Sequence, residues 1–306
     1  MSRIERDDEQ GRGLDPAAVR AHAAIVAAAV IFGSTFLVMK DAVALAQPVP
    51  FVAARFLVGA LVLIPFARRE PAAPGVWRAG GLCGAALGVG YVFQVIGLQY
   101  VTSSVSAFVT YMLVVLVPII SAVVLRRRPE SIVLVAVGIA LVGLILLTGQ
   151  GAGLGKGELL TVGCAVSFAV HIVALSAAAP RFPTMRLNAV QLATVGGLCL
   201  VPGFFLGGYD FGAKAWGAAV FCGIVASALA LGLQLWGQRV VGPTRTALIL
   251  LIEPVSAAGL GYLAGDRLGW TGAAGAALIL VAIVLAELPL AYRRGNLRSS
   301  PVSAQP

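Results

Sequence analysis

Two charged side chains stand in apolar stretches where water is scarce. Glu253, in LLIEPVSAAG (251–260), is the only charged residue between Thr246 and Ala264. A lone carboxylate in hydrocarbon needs a partner or water. Two roles are open to it: a titrating proton site, or a structural group bonded to nearby N–H or hydroxyl groups. Pro254 follows directly and lacks an N–H, so the carbonyl of Leu250 is expected to lose its helix bond and the chain to kink. Pro118 stands 136 residues earlier in a similar setting. Arg55, in AARFLVGAL (53–61), stays protonated in any protein environment. It either reaches a membrane face along its stem, serves the structure through a carboxylate, carbonyls or water, or binds the carboxylate of a substrate.

Uncharged polar residues add a second tier. Gln94 and Gln234 share the context Gln-x-x-Gly, in QVIG and QLWG. Each amide both donates and accepts, which suits a ligand of mixed polarity as well as it suits a bond between helices. Tyr91 precedes Gln94 by one turn, on the same helical face. His171 is a group that titrates near neutrality or a buried neutral donor. Trp236 offers a flat stacking surface or an interfacial anchor beside Arg239. Ser34, Thr35, Ser104, Ser106, Thr110, Tyr111 and Thr246 supply hydroxyls that line a polar path or bond back to their own helix carbonyls.

Enzyme and metal signatures are missing. GAGLGKG (151–157) evokes a phosphate loop, but Gln150 and Gly157 stand where Gly and Ser or Thr are required. There is no His-Glu-x-x-His and no Gly-x-Ser-x-Gly. Cys83, Cys164, Cys199 and Cys222 lie in apolar runs without ligand spacing and read as small buried hydrophobes. No metal, cofactor or catalytic group is implied. The expectation is a protein that is not an enzyme.

The elements that must position these groups follow from composition. Apolar residues make up 59% of 306 residues and charged residues 11%, against about 25% charged in soluble domains. That leaves too little polar surface for a water-soluble body, and the chain reads as an all-α, multi-pass protein of the cell membrane in contact with lipid. Continuous rather than alternating apolar runs exclude a β-barrel. Ten spans are expected, near 22–40, 50–66, 79–98, 103–125, 131–148, 157–178, 187–207, 215–237, 244–264 and 269–289. The first is expected to be retained although Ala44-Leu45-Ala46 resembles a cleavage site.

The net charge of +9 does not form a nucleic-acid face. It sorts by side instead. With the N-terminus in the cytoplasm, Arg3, Arg6, Arg12, Arg20, Arg68, Arg69, Arg78, Arg126, Arg127, Arg128, Arg181, Arg186, Arg239, Arg245, Arg293, Arg294 and Arg298 fall inside. Only Lys40, Lys156, Lys214 and Arg267 fall outside. This asymmetry predicts both termini in the cytoplasm.

The two halves share landmarks. Phe32 and Phe168, Arg55 and Gln191, and Pro118 and Pro254 are each 136 apart; Gly138 and Gly275 are 137 apart. The Gln-x-x-Gly motifs, Val101 and Val241, and Ala107 and Ala247 are 140 apart. The return to 136 predicts about one extra turn in span 4 relative to span 9. The halves would be residues 21–148 and 157–290, joined by a linker at 149–156, with tails at 1–20 and 291–306. Five spans per half makes the second half enter inverted, the plan of carriers whose site lies between repeats.

FGSTFLVMK (32–40), AARFLVGAL (53–61), VLVPIISAVVLRRRPE (115–130), SFAVHIVAL (167–175), QLWGQRVVGPTRTALILLIEPVSAAGL (234–260) and WTGAAGAALILVAIVLAE (270–287) together resemble the drug/metabolite transporter superfamily, specifically its ten-span EamA-type permeases. Phe32 replaces the family's usual tryptophan, and Arg126 to Arg128 occupy a place where a glutamate is frequent. The resemblance implies a secondary exporter of small metabolites, amino acids foremost. It also implies a path lined by spans 1, 3, 4, 6, 8 and 9. The same plan serves uptake of nucleosides, sugars or cofactors, and multidrug efflux; a membrane scaffold or intramembrane enzyme fits it less well. Proton coupling would use the intramembrane ionisable groups. Nothing in the sequence specifies an oligomeric state.

Overall fold

The computed structural model describes residues 15–43, 45–101, 103–126, 129–148, 155–263 and 269–298, with side chains up to Ala286. Residues 1–14, 149–154 and 299–306 of the tails and linker lie outside the described residues, as do Arg127 and Arg128. So do the side chains of Lys40 and Ser104.

Among the described residues the chain is helical, without strands. The order is α1 Pro16–Val43, α2 Pro48–Arg69, α3 Val76–Gly97, α4 Ser103–Tyr111, α5 Leu113–Val124, α6 Ser131–Thr148, α7 Lys156–Ala178, α8 Thr184–Phe205 and α9 Ala213–Cys222. A π-helical segment, Gly223–Ala230, follows α9 and runs directly into α10 Leu231–Val241. Then come α11 Pro243–Ile249, α12 Ile252–Leu263 and α13 Trp270–Arg298. Seven helical stretches among the described residues are long and apolar enough to cross a membrane, and Ser131–Leu147 and Trp270–Ala286 are shorter apolar helices. The outward surface carries Leu61, Trp77, Val123, Phe204, Phe205 and Val284, all exposed. On a soluble protein such a surface would aggregate. In lipid it costs nothing, and the chain is a multi-pass membrane protein.

Helix α1 starts at Pro16, six residues before the expected span, because Asp15 accepts the N–H of Ala17 at 3.0 Å and opens the first turn. Among the described residues span 4 runs from Ser103 to Val124 and its counterpart from Pro243 to Leu263, and both are interrupted near the middle, at Met112 and at Leu250–Leu251.

The core has a paired organisation. One buried cluster joins α2 and α3 with α8, Ala228 and α10. A second joins α4, α5 and α6 with α11, α13 and Leu251. A third joins α1 and α5 with α7, α11 and Leu250, closed by Val241. Each cluster therefore contains helices from one half together with their counterparts from the other. Helix α2 packs along α8, and α6 along α13. The α6–α13 seam is built on Gly143 and Gly275: a Cβ on Gly275 would meet the Gly143 carbonyl at 2.5 Å and the Leu147 nitrogen at 2.4 Å. Gly138, the sequence counterpart of Gly275, has open space around it. The seam is thus made by Gly143, five residues further along α6.

Candidate functional site

Arg55 lies in the first half of α2 and is 2% exposed. Its Nε donates to the Ser227 hydroxyl of the π-helical segment at 3.2 Å. Its guanidinium carbon lies 5.0 Å from the ring centre of Phe56 and 5.1 Å from that of Tyr91, a cation–π distance. At 2% exposure the side chain does not reach the outer surface, and these partners suit a structural cation as well as an anion-binding one. Tyr91 on α3 stands edge-on between Phe56 (4.9 Å) and Phe168 of α7 (5.2 Å). Phe32 of α1 packs against the same group.

Glu253 joins this cluster from the other half. Its carboxyl is a hydrogen-bond partner of the Tyr111 hydroxyl, at the end of α4, and lies within electrostatic range of Arg55. Four helical elements of the first half and three of the second therefore converge on one group of two charged and five aromatic side chains. Arg55 and Tyr111 are buried, while Tyr91, Phe168, Phe32 and Glu253 keep part of their surface accessible.

The local backbone sets Glu253 in place, and not by the expected route. The Leu250 carbonyl is not orphaned by Pro254; it accepts the Glu253 N–H at 2.9 Å. Leu251 N–H likewise bonds the Leu248 carbonyl at 3.0 Å. Two tight i→i+3 bonds therefore close α11 and open α12, and Pro254 falls in the first turn of α12, where its missing N–H matters least. Glu253 occupies the same first turn, where a carboxylate is favoured. Close packing seals the break: a Cβ on Gly33 of α1 would sit 2.6 Å from the Glu253 carbonyl. Pro118 lies inside α5, six residues past Met112, and is buried.

His171 belongs to a different group. It is 2% exposed, and its Nε2 lies 3.1 Å from Gln191 Oε1. Gln191 Nε2 donates to Asn188 Oδ1 at 2.8 Å, and Asn188 Nδ2 donates to the Ala228 carbonyl at 3.0 Å. Since Gln191 spends its amide N–H on Asn188, its oxygen accepts from His171, which fixes the Nε2–H form. This chain ties α7 to α8 and α8 to the π-helical segment. A π turn spans i→i+5 and marks functional sites more often than chance.

Other expected site residues divide. Gln94 is half-buried on α3, one turn beyond Tyr91. Gln234 is buried and donates to Gln238 at 3.3 Å, and Gln238 donates to the Ile172 carbonyl at 2.5 Å and to Ser176 at 2.7 Å. Gln234 thus bonds within α10, and Gln238 carries the bonds to α7. Trp236 is 41% exposed on the outer surface of α10, turned from the cluster because it is two residues, about 200° of helix, from Gln234. Ser34, Thr35 and Thr246 bond back to the carbonyls of Ile31, Phe32 and Gly242 at 2.8, 3.0 and 2.7 Å. Ser106 and Thr110 are buried, the latter 3.8 Å from Cys164 Sγ. The four cysteines are free and buried.

Ser227, Asn188 and Gln238 carry the contacts that residue-by-residue reading overlooks. Asn188 and Gln191, three apart in an apolar span, were the available signal. Ser227 had none, because its role depends on a π winding that composition does not announce.

Comparison with known proteins agrees with this architecture. A protein of Archaeoglobus fulgidus described as an uncharacterized transporter is 34% identical over 148 residues, 48% of this chain and 46% of that protein. The alignment thus spans about half of that relative. Another protein of the same organism, also described as an uncharacterized transporter, is 28% identical over 265 residues, 86% of this chain and 95% of that protein. One crystal structure with 23% sequence identity superposes with a TM-score of 0.74, covering 89% of this chain and 98% of that one, which establishes a shared fold. The sequence profile of the EamA-like transporter family matches twice, at 19–149 and at 155–288. A double match across nearly the whole chain, on a membrane-embedded helical fold built from counterpart helices, means that this protein belongs to the EamA-like transporter family.

Proposed function

We propose that the chain is a secondary carrier with ten spans in two oppositely inserted halves, 21–148 and 157–290, and both ends in the cytoplasm. Its cargo is small metabolites, amino acids or related compounds foremost, and its direction is export. The basic residues crowding one side support the topology. The counterpart packing of helices and the double profile match support the two halves. Export and the amino-acid class come from the family resemblance.

One observation carries the substrate reading: Arg55 and Glu253, opposite in charge and drawn from opposite halves, share an aromatic-walled cluster. A zwitterion presents the complementary pair, a carboxylate for Arg55 and an ammonium for Glu253. Rocking of the halves about this cluster would expose it to each side in turn. The driving force is the substrate gradient, alone or with protons.

Counterflow into liposomes loaded with unlabelled amino acids tests this. Saturable accumulation of a labelled amino acid is the expected result. Accumulation of nucleosides, sugars or cationic dyes alone would replace the substrate class and keep the carrier. No exchange of any solute by folded protein would argue for a scaffold. The bond to Tyr111 holds Glu253 as a fixed group rather than a titrating one, so Glu253→Gln should weaken competition by zwitterions and keep the pH dependence of flux. A flux that no longer responds to pH would make Glu253 the proton site.

A further inference from the structure

We propose that Ser227 is a positioning residue for Arg55, fixing the direction in which the guanidinium meets the substrate's anionic group. The proposal rests on the zwitterion reading for its purpose, but not for its geometry. A serine in a helix ordinarily bonds back to a carbonyl of its own preceding turn. The Ser227 hydroxyl, fully buried, accepts Arg55 Nε instead, at 3.2 Å. That contact holds one edge of the guanidinium while the rings of Phe56 and Tyr91 stand against it at 5.0 and 5.1 Å. A planar, delocalised cation held by Ser227, by a hydrogen bond to the Tyr91 hydroxyl and against two rings loses its freedom to reorient, so it meets an anion in a defined direction.

The backbone is built to allow it. Gly59 and Gly223 let α2 and the π-helical segment touch: a Cβ on Gly223 would meet the Arg55 carbonyl at 2.6 Å, and one on Gly59 would meet the Gly223 carbonyl at 2.8 Å and Ser227 Cβ at 3.1 Å. Ser227 lies within the π winding, and Asn188 holds the next residue by the Ala228 carbonyl. The counterpart of Ser227 in α3 is Gly90 by the offset of the helix starts, or Leu87 by the offset of the Gln-x-x-Gly motifs. Neither carries a hydroxyl, so the device belongs to the second half alone.

The test needs no substrate. Full-length protein in liposomes is treated with phenylglyoxal, and modification of Arg55 is followed by mass spectrometry, with exposed Arg181 as internal standard. Ser227→Ala should speed Arg55 modification about tenfold, with Arg181 and the unfolding temperature unchanged, because one hydrogen bond to a charged group is lost. Ser227→Thr, which keeps the hydroxyl, should stay within about twofold of the parent. An unchanged rate in Ser227→Ala, or a Ser227→Thr rate equal to that of Ser227→Ala, overturns the assignment. A negative result here leaves the carrier reading standing, since counterflow tests that separately. For a solute found by counterflow, Ser227→Ala should raise the half-saturation concentration about tenfold and leave maximal flux within about twofold. A fall in maximal flux alone speaks for a merely structural serine.

Discussion

Helix α3 and its counterpart in the second half start from the same motif and end as different machines. Val76–Gly97 is regular α-helix from end to end, and its Tyr91 packs in the core with Gln94 half-buried one turn on. Ala213–Val241 passes through eight residues of π-helix, and its Gln234 bonds Gln238 one turn on, which itself bonds α7. The offset between the halves grows from 137 at the helix starts to 140 at the Gln-x-x-Gly motifs. The additional residues are accommodated partly by the wider π winding, which takes more residues per turn. The two halves thus share a frame, helix against counterpart helix, while one has a straight wall and the other a π-wound segment that reaches Arg55. The same divergence appears at Arg55 and Gln191, equal in position and both buried: one is a cation among aromatic rings, the other a neutral amide in a chain of hydrogen bonds.

The largest expected effect separates that last pair. Arg55→Leu should weaken competition by carboxylate-bearing solutes about 100-fold in counterflow, the scale of losing charge-assisted bonds to an anion. Gln191→Leu should leave half-saturation within about threefold and instead cost about 1–2 kcal/mol of stability, because the His171 N–H and Asn188 oxygen lose their partner in the interior. Equal loss of transport in both variants would dissolve the distinction between a charged site in one half and a structural network in the other.

A smaller effect sharpens the contrast between the straight and the π-wound span. Asn188→Ala removes the donor on the Ala228 carbonyl. Its cost should be about 1 kcal/mol in reversible unfolding, near the upper range for polar contacts within membranes. Hydrogen exchange should rise in residues 223–230 and stay unchanged in α3. Faster exchange in both spans would mean that Asn188 stabilises the bundle at large rather than the π segment.

How far sequence reading carried differs between the frame and the site. Apolar runs, basic asymmetry and paired landmarks report on solvent and on backbone periodicity, and these give the helices their places within a few residues. Glu253, Arg55, Tyr91 and Tyr111 were legible because a charge or a phenol in an apolar run demands a partner, and the structure brings these four into one cluster. Trp236 stays open to two roles in the sequence because a rotation of two residues decides which wall a side chain faces, and on α10 it is exposed. Pro254 was misjudged because its missing N–H was read against an unbroken helix, whereas the chain restarts there and Glu253 supplies the bond. Ser227 was silent because only tertiary contact, through the Gly59–Gly223 approach, gives a serine in that segment a partner other than its own helix.

The smallest effect tests whether landmark spacing names true structural equivalents. Gly138 and Gly275 keep the repeat offset, yet only Gly275 lies in the seam between α6 and α13. A methyl on Gly138 meets nothing within 4 Å. Gly138→Ala should therefore be neutral or stabilise by about 0.5 kcal/mol, through the helix preference of alanine over glycine. Gly275→Ala carries the same backbone gain but drives a methyl into the backbone of α6, which packing cannot yield without separating the helices. Thermal unfolding of the two variants should diverge in sign. Equal, small shifts would mean that the α6–α13 seam is loose enough to absorb a methyl, and that the paired packing of the halves rests on the α2–α8 contact and the shared clusters alone.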